Sequence, residues 1–365
     1  MKLLYITNQI CGSGGLERVL AIKTKYLIDN FDYEVHIVTL NQDEKQLFFD
    51  FSSKITMHNI FVKGNFIQYL KSYIIGLRRL ANIIKPDIIL VCDDGLKGFF
   101  IPTILAGTLP IIYERHVSRN IMLNENDSFF SIIKTKFYFL LMICLAKTFN
   151  KFVVLTNDNI AEWNTNNIEV IPNPLSFYPK QVAALENKIV IAVGKQSYQK
   201  GYDRLLKSWQ IVNKVNPDWQ LCIYGKLDES QGLELLAKKL NIQQSIRFFD
   251  AEKNIENCFL ESSIFVLSSR YEGFGMVIIE AMACGLPVVS FDCPCGPKDI
   301  IDNEINGYLI QNNDIEQFAN TINKLIDSKD LRHKLGENAR TNAQRFMPEI
   351  VVSKWNNLFK SIVQD

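Results

Sequence analysis

The sequence predicts an α/β protein made of two Rossmann-like, doubly wound domains. Three observations carry that prediction. Short apolar, β-branched runs alternate with longer helical runs along almost the whole chain, as they do in parallel sheets covered on both faces. The alternation lapses once, between Pro172 and Lys188, where three prolines occur without any period, and then it restarts. The 365 residues, 47% of them apolar, are enough for two cores. The expected division is therefore a first domain over 1–172, a linker over 173–187 and a second domain from 188 to 346.

In order, residues 3–7 form an apolar run that reads as a strand, followed by a glycine-rich loop at 8–15. Residues 16–28 have helical spacing. Runs at 35–40 and 55–60 read as strands, 66–84 as a long basic helix, and 87–91 as a strand. A helix is expected near 99–106, a strand at 110–114, a helix at 129–149, and strands at 152–156 and 169–171. In the second half, strands are expected at 189–193, 221–224, 246–249, 264–267, 287–291 and 308–310. Helices are expected at 203–215, 233–240, 276–284, 315–326, 331–346 and 348–362. Two such domains facing each other leave a cleft at the carboxyl ends of their strands, where ligands bind.

Composition excludes several classes. Forty basic residues stand against 39 acidic ones, which does not suit a nucleic-acid binder. The eight cysteines are scattered. Only Cys293 and Cys295 lie close together, and no second pair gives zinc spacing, so free thiols in a reducing compartment and no structural metal are expected. Met1-Lys2 leads straight into a strand, so no secretory signal is expected. The longest apolar run, 137–146, is too short to span a bilayer. A cytoplasmic protein is expected. The basic helix 66–85 and the lysine-bearing segment 134–147 either rest on anionic lipid at the inner face of the membrane or pack as ordinary amphipathic helices.

One stretch organises the second half, Tyr271-Glu-Gly-Phe-Gly-Met-Val-Ile-Ile-Glu-Ala-Met-Ala-Cys-Gly285 after the strand at 264–267. Gly273 and Gly275 permit a tight turn and close approach of a ligand. The helix that follows is apolar except for Glu280. A charge there is costly unless it is a structural ion-pair member or meets a ligand. Glu272 and Glu280 would flank a helix N-terminus, which favours phosphate. That layout suits a nucleotide sugar, with hydroxyls at both ends and an anionic middle. Lys195 and Lys200, in Gly194-Lys-Gln-Ser-Tyr-Gln-Lys-Gly201, are either a diphosphate clamp or two solvated loop lysines. Gly14 and Gly15 open the first helix. A dinucleotide fingerprint fits poorly there, because its third glycine would fall at Glu17. His116 ends a strand and is either structural or directed at the cleft, with Arg115 and Arg119 beside it.

These motifs resemble those of the family-4 retaining glycosyltransferases, loosely over the first half and closely from 188 to 360. The resemblance is carried by Glu272-Gly-Phe-Gly-(four)-Glu280-Ala-Met-Ala-Cys-Gly, by Gly194-Lys195 with Lys200-Gly-Tyr-Asp203, and by Cys293-Pro-Cys-Gly-Pro-Lys-Asp-Ile-Ile301. The last resembles a segment of members that transfer galactose or N-acetylgalactosamine in bacterial surface polysaccharides, with Asp299 in place of Glu. The resemblance implies a GT-B fold whose last helix, within 347–365, returns to the first domain. It implies a UDP-sugar donor, retention at the anomeric carbon and no metal cofactor. It places Glu280 on the ribose and Lys195 and Lys200 on the diphosphate. Glu272, with Gly273, Phe274, Gly275, Met276 and Val277, falls at the sugar and phosphates. Gly14 and Gly15 fall near the reaction centre, and His116 against the donor sugar. Lys195 stands where the family usually has Arg. The implied acceptor is a sugar in capsule, O-antigen or exopolysaccharide synthesis, and the basic segments 66–85 and 134–147 lead to the expectation that it is lipid-linked. The alternative is a non-catalytic binder of nucleotide sugars or polysaccharide with the same fold.

Overall fold

The computed structural model describes residues 1–42, 45–105, 107, 109–118 and 129–364. It divides into two compact units, Met1–Ser176 with Pro348–Asp365, and Phe177–Met347.

The first unit has seven strands: β1 (Lys2–Thr7), β2 (Glu34–Leu40), β3 (Thr56–Ile60), β4 (Ile88–Cys92), β5 (Ile111–Glu114), β6 (Lys151–Val154) and β7 (Ile168–Val170). They form one parallel sheet in the order β3-β2-β1-β4-β5-β6-β7. Tyr5 of the central β1 lies opposite Ile37 and Leu90. Because strand side chains alternate, Leu3 and Tyr5 face one core and Leu4 and Ile6 the other. The first core is closed by α1 (Gly15–Phe31) and by the last helix, α14 (Pro348–Gln364), through Leu20, Leu27, Trp355 and Phe359. The other is closed by α2 (Phe66–Ile84), α3 (Leu96–Phe99), α4 (Ile101–Leu105), α5 (Phe129–Ala146) and α6 (Asn157–Trp163).

The helix expected at 99–106 is two short helices that break at Phe100. Pro102 lies in the first turn of α4, where its missing N–H costs nothing. The short polar α6 was not foreseen. The Thr156 side chain caps it by accepting from the Asn159 N–H, and Trp163 anchors it in the core.

The second unit has β8 (Ile189–Val193), β9 (Gln220–Tyr224), β10 (Ile246–Phe249), β11 (Ile264–Leu267), β12 (Val288–Asp292) and β13 (Tyr308–Gln311), parallel in the order β10-β9-β8-β11-β12-β13. Its helices are α7 (Tyr202–Val215), α8 (Leu233–Lys239), α9 (Ile255–Leu260), α10 (Met276–Ala283), α11 (Pro297–Ile300), α12 (Ile315–Asp327) and α13 (Lys329–Ala343). Trp209, Val266, Phe291 and Phe318 share its main core. The aperiodic stretch after residue 176 belongs to this unit. Its backbone is held from outside: Ala183 N–H donates to Cys284 O at 2.8 Å, Arg332 to Leu185 O at 3.1 Å and Arg340 to Pro179 O at 2.6 Å.

Each strand order reverses once. The chain leaves β1 toward β2 and β3 and returns to β4 on its other side. It leaves β8 toward β9 and β10 and returns to β11. Loops diverge at the carboxyl ends of strands flanking such a reversal, which is where ligands bind in open α/β sheets.

Candidate active site

In the second unit the reversal lies between β8 and β11, and both motif loops sit there. The loop after β8 runs through Lys195 and a short 3-10 turn, Tyr198–Lys200, to Gly201, the left-handed N-cap of α7 at φ 61°. A Cβ on Gly201 would lie 2.3 Å from Ser268 O, so this close approach requires glycine. The loop after β11 carries Ser268 to Gly275 and enters α10.

The two loops are joined at several points. Lys200 Nζ donates to Glu272 Oε1 at 2.8 Å, and Ser269 Oγ donates to the same oxygen at 2.5 Å. Ser268 Oγ donates to Lys200 O at 2.8 Å, and Arg270 N–H to Gln199 O at 2.7 Å. The Arg270 guanidinium grips Asp203 bidentately at 2.8 and 2.9 Å and lies over the Tyr198 ring. Burial would raise the Asp203 carboxyl, but Arg270 outweighs it and holds Asp203 below the ordinary carboxylate range.

The sequence-predicted residues fare differently. Lys200 and Glu272 meet directly. Gly273, Phe274 and Gly275 form the turn into α10, and Met276 and Val277 are its first residues. Phe274 is buried and packs edge-on against Phe346. Gly275, at φ 100°, caps the helix. Lys195 is exposed on the same strand end, with no ion pair among the described residues. Glu280 is 0% exposed on a helix buried along nearly its whole length, so its carboxylate offers no free surface as the structure stands. Sequence reasoning missed Ser269 and Arg270. The Arg270–Asp203 pair spans 67 positions, and only the sheet order brings it together.

In the first unit the reversal lies between β1 and β4. Gly14 is the N-cap of α1 and Gly15 its first residue. Glu17 folds back over this loop, so that a Cβ on Gly12 or Gly14 would lie 2.5 or 2.7 Å from its carboxylate oxygens. After β4, Asp93 accepts from Asn8 at 3.0 Å and lies 3.4 Å from Lys97. Burial pushes the Asp93 carboxyl up. Arg115 donates to Asp94 O at 2.8 Å, and His116 N–H to Asp94 Oδ1 at 3.3 Å. Arg119 lies outside the described residues.

Behind His116 is a buried charged group that sequence reasoning did not single out. Glu114 Oε1 lies 3.2 Å from His116 Nε2, and Oε2 accepts from Lys23 of α1. The signal was present in the sequence, as a lysine on the apolar face of a helix and a glutamate ending an apolar strand. Burial would raise Glu114, but Lys23 and then His116 outweigh it, leaving its carboxyl at about 2. Cys92, Glu114 and His116 place one ligand atom each within 4.8 Å of one another. A metal ion there would face the Lys23 ammonium, so the charge balance fits an ion-pair chain better than a metal site.

Two α/β units, each with polar loops at the switch point of its sheet, have the ligand-binding layout of doubly wound α/β proteins. Residues 177–342 match the family described as Glycosyl transferases group 1. An uncharacterised glycosyltransferase of Haemophilus influenzae is 31% identical over 98% of this chain and 99% of its own. The amylovoran biosynthesis glycosyltransferase AmsD of Erwinia amylovora is 28% identical over 98% and 99%. The crystal structure of HepE of Anabaena in complex with UDP and glucose superposes with a TM-score of 0.79 at 19% identity, covering 99% of this chain and 100% of that one. The chain belongs to the group 1 glycosyl transferases, and its two parallel-sheet domains are those of the GT-B fold.

Proposed function

We propose that this enzyme transfers a hexosyl group from a UDP-sugar to a hydroxyl of a sugar acceptor, with retention at the anomeric carbon. The observation that carries the reading is the Lys200–Glu272 contact at the β8/β11 switch point, a cation and an acid held together by two interlocked loops. In this reading Lys200 and Lys195 neutralise the diphosphate as it departs, an electrostatic interaction that strengthens as the glycosidic bond breaks. Glu272 and the amides of Gly273–Gly275 position the sugar. Glu280 holds the ribose, which requires α10 and its neighbours to open around that side chain. Gly14, Gly15 and His116 meet the sugar substrates. The lysines supply the charge that a metal ion supplies elsewhere. The complex of HepE with UDP and glucose supports the donor class, and the name of AmsD supports a role in polysaccharide assembly.

The acceptor is proposed to be lipid-linked. Among the described residues no helix is long and apolar enough to cross a membrane. However, α2 exposes Phe66 (78%) and Ile67 (75%), and α5 exposes Phe130 (82%) and Phe137 (67%). Lys71, Arg79, Lys134 and Lys136 are exposed on the same helices. Apolar side chains flanked by lysine and arginine suit an anionic bilayer surface.

Calorimetry with UDP and a donor-hydrolysis assay test the reading. Binding and turnover in the wild type, lost in Glu280→Ala and Lys200→Ala variants that remain folded, are expected. Wild-type turnover in both variants would end it. Co-sedimentation with anionic vesicles, weakened by high salt, tests the lipid contact.

A further inference from the structure

Unit one contains a chain of buried charges that the proposed chemistry does not use. Lys23 is 0% exposed. Its ammonium lies over the Trp355 ring at 4.1 Å and the Tyr5 ring at 5.1 Å, and donates to Glu114 Oε2. Glu114 is 1% exposed, and the Cys92 thiol also donates to its Oε2, at 3.4 Å. Burying such a pair brings little net stability, since apolar side chains of the same volume would serve as well. The His116 side chain is 5% exposed. Both ring nitrogens are enclosed and neither makes a hydrogen bond of ordinary geometry among the described residues; Nε2 has the Glu114 Oε1 carboxylate 3.2 Å away, and Nδ1 has no such neighbour. A buried ring nitrogen left in that state is costly, and a ligand hydroxyl would relieve the cost.

The carboxylate beside Nε2 decides the tautomer. A neutral imidazole carries one proton, and Glu114 favours it on Nε2, leaving Nδ1 as an acceptor. The other titratable or charged groups around Glu114 and His116 are Arg115 on the same segment, Asp94 and Cys92 from β4 and the loop after it, and, on the far side of Glu114, Lys23 from α1 and Tyr5 from β1.

We propose that Lys23 and Glu114 are positioning residues that orient the His116 ring and favour its proton on Nε2, so that Nδ1 accepts a hydrogen bond from a hydroxyl of the sugar substrate. This rests on the reading of His116 as a sugar-contacting residue. Glu114 acts through His116, and Lys23 acts through Glu114.

The test uses the full chain labelled with 15N-histidine, together with steady-state hydrolysis of UDP-glucose, UDP-galactose and their N-acetyl forms from pH 5.5 to 9. With four histidines in the sequence, His116→Asn assigns the His116 ring signals. The wild type is expected to show the Nε2–H tautomer at pH 7. Lys23→Met, which leaves Glu114 without its cation, should change the His116 ring 15N signals toward a mixture of the two tautomers. Glu114→Gln should lower kcat about ten- to a hundredfold, the worth of one buried hydrogen bond, with KM for the donor little changed. The double variant Lys23→Met/Glu114→Gln removes both charges and should recover thermal stability while kcat stays low. Recovery of kcat with stability would make the pair merely structural and overturn the proposal. So would an Nδ1–H tautomer in the wild type, or His116 ring signals in Lys23→Met identical to those of the wild type. If Lys200 and Glu272 variants are inactive while Glu114→Gln is fully active, this inference alone falls. If all of them turn over normally, the transferase reading falls, and the ring signals still decide the tautomer.

Discussion

Replacing Lys200 by Met separates the structural from the chemical role of the central ion pair. Lys200 Nζ lies 2.8 Å from Glu272 Oε1, and the two side chains are 17% and 7% exposed. Met keeps the length and volume and loses the charge. Among the described residues Glu272 then keeps the Ser269 hydroxyl, 2.5 Å from the same oxygen. Stranding a fully buried carboxylate costs about 3–5 kcal/mol. The pair here is not fully dry and water can partly replace the ammonium, so the expected loss is about 2 kcal/mol. For a domain of 150–250 residues that lowers Tm by about 4–8 °C. Loss of the cation facing the departing diphosphate should lower kcat by about 10²–10³-fold. The two effects part company in the double variant Lys200→Met/Glu272→Gln. The amide no longer needs a cation, so Tm recovers, whereas turnover does not. Thermal unfolding with and without UDP, run beside donor hydrolysis, reads both. Two results would refute the reasoning. One is wild-type turnover in Lys200→Met, and the other is a Tm loss that Glu272→Gln fails to relieve.

Gly201→Ala should destabilise by about 1–3 kcal/mol in denaturant titration, because φ is 61° and the new methyl would lie 2.3 Å from Ser268 O. Lys195→Arg should tighten UDP binding several-fold by calorimetry, since a guanidinium fork replaces a point charge at an exposed site free to turn toward phosphate. The acid limb of stability should depend on Glu114, whose carboxyl sits at about 2 against an ordinary 4.5. A depressed carboxyl contributes stability above its unfolded value and loses it as pH falls through the folded one. Glu114→Gln should therefore flatten the stability profile between those two values, as read by urea midpoints.

The sequence by itself determined the alternation of strands and helices, its lapse between Pro172 and Lys188 and the turn from β11 into α10, because these depend on local periodicity and on proline and glycine placement. Strands β8, β10 and β11 and helix α2 fall where their periodicity puts them. The short helices α6, α9 and α11 do not show in the pattern, because four to seven residues make too little of a helical period, and a cap such as Thr156 helps to hold α6. Lys200 and Glu272 were legible as separate motif positions. Their contact, 72 positions apart, exists only because β8 and β11 are neighbours in the sheet. Lys23 and Glu114 are 91 positions apart; each shows in the sequence as a charge in an apolar setting, but their pairing exists only because β1 and β4 set α1 against the end of β5. Periodicity acts over a few residues and is written in the chain. Which charges share a buried volume is decided by strand order, and only the folded sheet supplies that.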